Sequence, residues 1–346
     1  MTSLAARPIV TANGLVKHFP LGSRFFGRSR SYIAAVDDCG FSLVAGETLG
    51  VVGESGCGKS TIARMLIHLV KPDRGSIELD GATVSGQSGG DVRRLRRAVQ
   101  MVFQDSYASL NPRHTANEEV SFGLAALGRP RREASARAND ALNLVGLPPE
   151  HFSGRYPHEL SGGQRQRVNI ARALAIEPKV LILDEAVSAL DKSVQAQVLN
   201  LLVELKRKLG LSYIFISHDL DVVRFISDRV VVMYLGKIME VGPVQRIYSA
   251  PAHQYTKALI ASRLSMDPSR RTAAPPITGD PPSPIDPPPG CRFAARCAIA
   301  ETLCRTKAPE LTATPGDPSH WAACYASMPG SGHSMAPSAK PVVGAR

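Results

Sequence analysis

The sequence predicts an α/β chain: a parallel-type sheet wrapped by helices, with a small antiparallel sheet before it and a mostly helical insert within it. Three observations predict this. A glycine-rich loop, Gly53-Glu54-Ser55-Gly56-Cys57-Gly58-Lys59-Ser60-Thr61, lies between the apolar run 48–52, read as a buried strand, and the helix start 62–67. Apolar strand-length runs then alternate with helical periodicity, which implies parallel strands joined by helices. Between about 105 and 160 the texture is helical and broken by Pro112, Pro130 and Pro148-Pro149, so an insert separates two α/β portions.

In chain order, residues 8–50 carry short β-like runs at 9–12, 34–36 and 40–43, with a basic, glycine-bearing insert at 21–31. They read as the small antiparallel sheet. After the loop helix, residues 76–84 form a hairpin turning at Asp80-Gly81. Residues 99–103 form a buried strand ending on Gln104. Helices are expected at 115–127, 131–145 and 165–176, the last following Leu160-Ser161-Gly162-Gly163-Gln164. Residues 180–183 make a continuous apolar strand closed by Asp184-Glu185. Apolar residues at 194, 198, 201, 202, 205 and 209 hold a helical period, and strand 213–217 ends on His218. A hairpin at Gly236-Lys237 and a helix near 252–263 close the domain. Residues 265–289 are rich in Pro, Asp and Ser and read as an extended linker. Four cysteines follow in 290–325, and the segment 326–346 is expected to lack order.

The chain has 346 residues and a formal charge of +11, from 41 Lys+Arg against 30 Asp+Glu. That excess suits nucleic acid, an anionic membrane surface or an acidic ligand, and does not choose among them. No run approaches the roughly 18–20 apolar residues of a membrane span. The N-terminus lacks the long apolar segment of a signal peptide. The expectation is a cytosolic protein docked to a membrane protein.

Glycines let a backbone wrap close to phosphate oxygens, where its N–H groups and a helix N-terminus face the negative charge. Lys59 can then reach the β- and γ-phosphates, and the Ser60 hydroxyl can ligate Mg²⁺. The pattern implies a nucleoside triphosphate but leaves kinases, GTPases and helicases open. Asp184 at a strand end suits the Mg²⁺ shell, and Glu185 beside it can orient an attacking water. Ser161-Gly162-Gly163-Gln164 sets small residues at a helix start, which suits anion contact.

In this order the motifs resemble the ATP-binding subunits of ABC transporters, in the oligopeptide/dipeptide permease branch. Residues 103–113, 156–167 and 184–191 carry the resemblance, which spans about 8–325. Tyr255-Thr256-Lys257-Ala258-Leu259 is similar to the branch's C-terminal helix motif, with Gln254 where proline is usual. The resemblance implies an ABC-type P-loop ATPase domain over 8–264, with a mixed sheet core, an antiparallel β subdomain and a helical subdomain at about 105–175. It implies that Gly53, Ser55, Gly56, Cys57, Gly58, Lys59, Ser60 and Thr61 form the Walker A loop. Gln104 is then the Q-loop residue sensing Mg²⁺ and the permease, and Ser161, Gly162, Gly163 and Gln164 the signature. Asp184 is the Walker B carboxylate, Glu185 polarises water, Asp191 belongs to the D-loop, and His218 is the switch histidine. Phe19 fits the place of the adenine-stacking aromatic, with Tyr32 as rival.

The implied cofactors are ATP and Mg²⁺. The implied partners are transmembrane permease subunits, a second ABC ATPase subunit (a copy or a paralogue) packed head to tail, and an extracytoplasmic substrate-binding protein. The implied location is the cytoplasmic face of the cell membrane. Peptides are the expected cargo, with nickel or another small solute as the alternative. Nucleic-acid-acting ABC proteins usually carry coiled coils, zinc modules or two cassettes, none of which the sequence shows, so no nucleic acid is expected. A binder without turnover conflicts with Glu185 and His218.

Cys291, Cys297, Cys304 and Cys324 are spaced C-x5-C-x6-C-x19-C, without the close pairs of structural zinc sites. Four thiolates can hold a [4Fe–4S] cluster or zinc, and free packed thiols are the third reading. The surrounding residues are similar to the branch's C-terminal extension, some members of which bind an iron–sulfur cluster there.

Overall fold

The structure is a computed structural model that describes residues 7–21, 31–84, 89–262, 279 and 282–338. The basic insert and most of the proline-rich linker lie outside the described residues.

Two long strands begin the chain, β1 (Pro8–Pro20) and β2 (Tyr32–Val44). They pair antiparallel, and the register shifts between Ala12 and Leu15 and again between Leu15 and Lys17. Gly14 and Asp38 take positive φ at these irregularities. Each bulge flips the inward face, so sequence alternation shows only as short fragments of a 13-residue strand. Next come β3 (Thr48–Val52), α1 (Lys59–Leu66), β4 (Arg74–Leu79) and β5 (Ala82–Thr83). The last two are joined through positive-φ Asp80 and Gly81. They complete an antiparallel sheet ordered β2-β1-β4-β5.

After α2 (Gly89–Ala98) and β6 (Val99–Val102), the helical insert holds α3 (Ala116–Ala126), α4 (Arg131–Leu144), α5 (Pro149–Phe152) and a 3-10 turn at Pro157–Glu159. Thr115 and Glu118 cap α3 reciprocally. Helix α6 (Gly162–Leu174) starts three residues before the predicted 165. Ser161 Oγ accepts from the Gln164 N–H and Gln164 Oε1 accepts from the Ser161 N–H, and this box satisfies the first turn. Then follow β7 (Val180–Asp184), α7 (Lys192–Leu209), β8 (Ser212–Ile216), α8 (Leu220–Ile226), β9 (Arg229–Tyr234), β10 (Lys237–Pro243), α9 (Val244–Ser249) and α10 (Gln254–Ala261).

Strands β6, β7, β8, β3 and β9 lie parallel in the centre of the second sheet. Both faces are covered, so their sequences read as nearly continuous apolar runs, interrupted in β6 only by Gln100. Leu181, Leu183, Tyr213 and Phe215 enter the core shared with α6, α7 and the insert. Val180, Ile182, Ile214 and Ile216 enter the core against α1 and the antiparallel sheet. Since both cores grip the same strands, the carboxyl ends of β3, β6, β7 and β8 are fixed relative to one another.

The C-terminal extension is built onto this sheet. It contains α11 (Thr302–Thr306), β11 (Thr312–Thr314) and β12 (Asp317–Ala322), and β12 pairs with β10 at Glu240↔Ala322 and Val241↔Trp321. The fully buried Glu240 accepts from the Ala252 and His253 N–H groups and contacts His320 Nε2 at 2.6 Å. Downstream, the stretch 325–338 turns back: Ser331 Oγ donates to Tyr325 O, and buried His333 meets Ile299 O at 3.0 Å. No helix among the described residues is long and apolar enough to cross a membrane.

Candidate functional site: a phosphate-binding cleft

The four carboxyl ends open on a cleft of about 470 Å³ lined by Ile33, Ala35, Ser55, Gly56, Gly58, Lys59, Ser60, Thr61, Gln104, Glu185 and His218. Ligands of open α/β sheets bind at this edge, because the loops there are free to vary while the strands hold position. The glycine-rich loop leaves β3 and runs straight into α1. Gly58, at φ 106, brings its α-carbon so near the Ala35 carbonyl that a β-carbon would sit 2.1 Å from that oxygen. No other residue fits there.

Lys59 is buried and its Nζ donates to Gly53 O at 2.8 Å and Glu54 O at 3.0 Å. The ammonium is thus held across the loop's own carbonyls at the floor of the cleft. Cys57 points the other way, into the core, 2 % exposed. Burial pushes its thiol up, against the pull of Lys59. Neither Gly53 nor the Cys57 side chain lines the cleft, so their part in any ligand contact falls to the backbone.

Asp184 closes β7 and is buried, and Ser60 Oγ donates to its Oδ1 at 3.1 Å. Burial raises its pKa, the Ser60 bond opposes this, and the Glu185 charge adds to the rise. Asp184 does not itself line the cleft, but a buried carboxylate beside the hydroxyl of cleft-lining Ser60 is a donor set for a hard divalent cation such as Mg²⁺. Its oxygens fit that ion.

Glu185 follows with φ 48, in the left-handed region. Its N–H donates to Ile216 O, and its carbonyl accepts from Ser188 Oγ. Those bonds hold a conformation that costs an ordinary residue about 1 kcal/mol or more. The result aims the carboxylate into the cleft, where Oε2 accepts from Gln104 Nε2 at 3.0 Å and lies 3.3 Å from His218 Nδ1. Three side chains from the ends of three strands thus meet at one oxygen.

Some predicted residues lie elsewhere. Ser161, Gly162, Gly163 and Gln164 are at the start of α6 and do not line the cleft. Phe19 is 39 % exposed with Lys17 Nζ 5.5 Å from its ring centroid, and Tyr32 stacks on His18 at 4.5 Å. Neither lines the cleft. Ile33, register partner of Phe19, does.

Sequence reasoning missed the groups that hold the loop from behind. The Tyr255 hydroxyl accepts from the Glu54 N–H at 2.9 Å, and Arg296 Nη1 reaches both Glu54 carboxylate oxygens at 3.0 and 2.8 Å. Tyr255 stood inside a noted motif, but nothing local tied it to a loop 201 residues away.

The four C-terminal cysteines are free thiols near one another: Cys304 and Cys324 each raise the pKa of Cys291 and of Cys297. Burial is the larger cause and pushes Cys291 up to about 12. Among the described residues no group of three or more His, Cys, Asp or Glu is arranged to hold a metal ion. The thiols converge without forming a ligand set as they stand.

Comparison with known proteins agrees with this geometry. Residues 36–188 match the ABC transporter family model, and residues 239–304 match that of the oligopeptide/dipeptide transporter C-terminal region. A probable peptide ABC transporter ATP-binding protein of Sinorhizobium fredii is 46% identical, covering 96% of this chain and 93% of its own. The oligopeptide transport ATP-binding protein AppF of Bacillus subtilis is 46% identical over 94% of this chain and 99% of its own. Among solved structures, a dimeric ATP-binding cassette in a post-hydrolysis state with ADP and Pi superposes with TM-score 0.60 at 29% identity. It covers 68% of this chain and 98% of that one. From the cleft, the strand order and these relatives together, the chain belongs to the ATP-hydrolysing, ATP-binding subunits of ABC transporters, in the oligopeptide/dipeptide branch.

Proposed function

We propose that this chain hydrolyses ATP at the cleft to drive peptide import through separate permease subunits at the cytoplasmic face of a membrane. The observation that carries the reading is the Glu185 carboxylate, aimed across the phosphate cradle and met there by Gln104 and His218. The backbone N–H groups of Ser55 to Thr61 and the Lys59 ammonium receive the phosphates. Ser60 and Asp184 would hold Mg²⁺, which supplies charge neutralisation on the transferring phosphoryl group. Glu185 orients the attacking water, His218 holds that carboxylate and faces the γ-phosphate, and Gln104 reports the site's state to the permease.

The signature at the start of α6 completes the cleft of a second ATPase subunit, whose own signature completes this one. Its separation from the cleft within one chain, beside the dimeric likeness, supports this. Peptide cargo is supported by the match of 239–304 and by the relatives' names. A binding protein outside the membrane would deliver it.

For Cys291, Cys297, Cys304 and Cys324, a [4Fe–4S] cluster is supported by their convergence and by the resemblance of the extension. Iron and acid-labile sulfide near stoichiometric after anaerobic purification would support the cluster, and zinc or no metal would reject it.

The test of function is to purify the chain from membranes with its bound subunits, reconstitute the complex, and measure ATP-dependent uptake of labelled di- and oligopeptides. Peptide uptake and peptide-stimulated ATPase are expected. Uptake of Ni²⁺ but not of peptide would overturn the cargo, and absence of permease subunits would overturn the transport role.

A further inference from the structure

Glu54 is the second residue of the phosphate-binding loop, and three of its groups are engaged. Its carbonyl accepts from Lys59 Nζ, its N–H donates to Tyr255 Oη, and its carboxylate is paired with Arg296. Arg296 belongs to the C-terminal extension, 242 residues further on, with a side chain 8 % exposed. Its Nη1 also donates to Tyr234 Oη at 3.1 Å. Tyr234, Tyr255 and Phe293 pack with ring centroids within 5.5 Å of one another, so the Tyr234 ring, 5.9 Å from the Arg296 guanidinium carbon, is held in place by its aromatic neighbours. A second anchor sits on β2: Arg292 Nη2 pairs with Asp37 at 2.5 Å, two residues beyond cleft-lining Ala35.

We propose that the C-terminal extension is a clamp on the phosphate-binding loop, with Arg296 as its positioning residue through Glu54. Arg296 does not line the cleft. It acts by fixing the peptide whose carbonyl holds Lys59 and whose neighbours carry the phosphate-facing N–H groups. A loop pre-ordered in this way binds ATP without first losing conformational freedom, so the benefit appears in affinity. Glu185 and His218 follow the carboxyl ends of β7 and β8, whereas the clamp's bonds go to Glu54, Tyr234 and Asp37, so turnover of bound ATP is expected to be untouched. The inference rests on the ATPase reading of the cleft and adds to it a dependence of ATP affinity on the extension.

The experiment uses the full chain in its assembled complex and compares Arg296→Met, Arg296→Lys, Glu54→Gln and the double variant Arg296→Met/Glu54→Gln. Steady-state ATPase gives KM and kcat, and binding of a fluorescent ATP analogue gives Kd. Losing a partly buried, charge-assisted pair is expected to raise KM and Kd about tenfold in each Met or Gln variant, with kcat within about twofold. The double variant should be no worse than either single, because one interaction is lost once. Arg296→Lys should recover most of the affinity. A KM within about twofold of wild type in Arg296→Met, additive losses in the double, or a fall in kcat without a change in KM would each overturn the clamp. A wild-type complex that does not hydrolyse ATP would instead overturn the ATPase reading.

Discussion

Glu185 and Cys57 show how differently two residues of one site can be read from sequence. Glu185 was legible because a carboxylate after an apolar strand, in a chain with a glycine-rich loop, has few other uses. Its φ of 48 was not legible, since the strain exists only with the Ile216 and Ser188 contacts that hold it. Cys57, from its place in the loop, is expected beside the phosphates. Its thiol instead lies behind the loop, close to Lys59 Nζ at 3.7 Å, because the turn through Gly56 and Gly58 directs that one side chain inward. Two causes then slow alkylation: the sulfur is out of reach, and burial keeps it protonated. Iodoacetamide at pH 8, followed by mass spectrometry, should modify Cys57 at least about tenfold more slowly in the folded chain than in urea. Equal rates would place the thiol in the cleft.

At the scale of elements, the central strands were the most legible, since burial on both faces leaves little but apolar residues to read. The first two strands were seen only in pieces, because bulges reset their alternation. Strand β12, Asp-Pro-Ser-His-Trp-Ala, gave no strand signal. Its place is set by His320 on Glu240 and by the edge of β10, not by its own pattern. Helix α10 depends on the same buried network: His253 Nδ1 accepts the Tyr255 N–H and caps the helix. Burial holds the His253 pKa at about 4, against the usual 6.5. The unfolded chain therefore binds a proton between those values that the folded chain refuses, and stability falls as pH drops through this window. Between pH 7.5 and 5 the loss is about 2 kcal/mol, read as a shift of the urea midpoint. His253→Asn keeps a cap acceptor and should flatten that slope. An unchanged slope would show that His253 is not the group that titrates.

For the whole molecule, the separation of Ser161 from the cleft determines how it works. One chain presents a nucleotide cradle with its hydrolytic carboxylate, and at another place a capped helix start with small residues. On the proposed function, turnover calls for the signature of a second subunit. Ser161→Arg should lower ATPase of the assembled transporter by about two orders of magnitude, the scale of losing one set of preorganised donors. Binding of a fluorescent ATP analogue to the isolated chain should stay within about twofold of wild type. Loss of binding in the isolated chain would mean that the signature folds onto its own cleft. None of this pairing is written in composition or periodicity. The family resemblance implies it, and the separation of the motifs in the fold supports it. The contacts of Tyr255 and Arg296 with Glu54 belong to the same class, because they join segments more than 200 residues apart.

The central claim is that Glu185 turns over ATP that Lys59, Ser60 and Asp184 hold. It is tested most directly by Glu185→Gln in the assembled complex, measuring ATP binding and ATP hydrolysis on one preparation. The amide keeps the size of the side chain and leaves the phosphate cradle intact, but it orients water poorly. Binding should stay within a few-fold of wild type while hydrolysis falls by roughly two to three orders of magnitude. Hydrolysis near the wild-type rate would contradict the account.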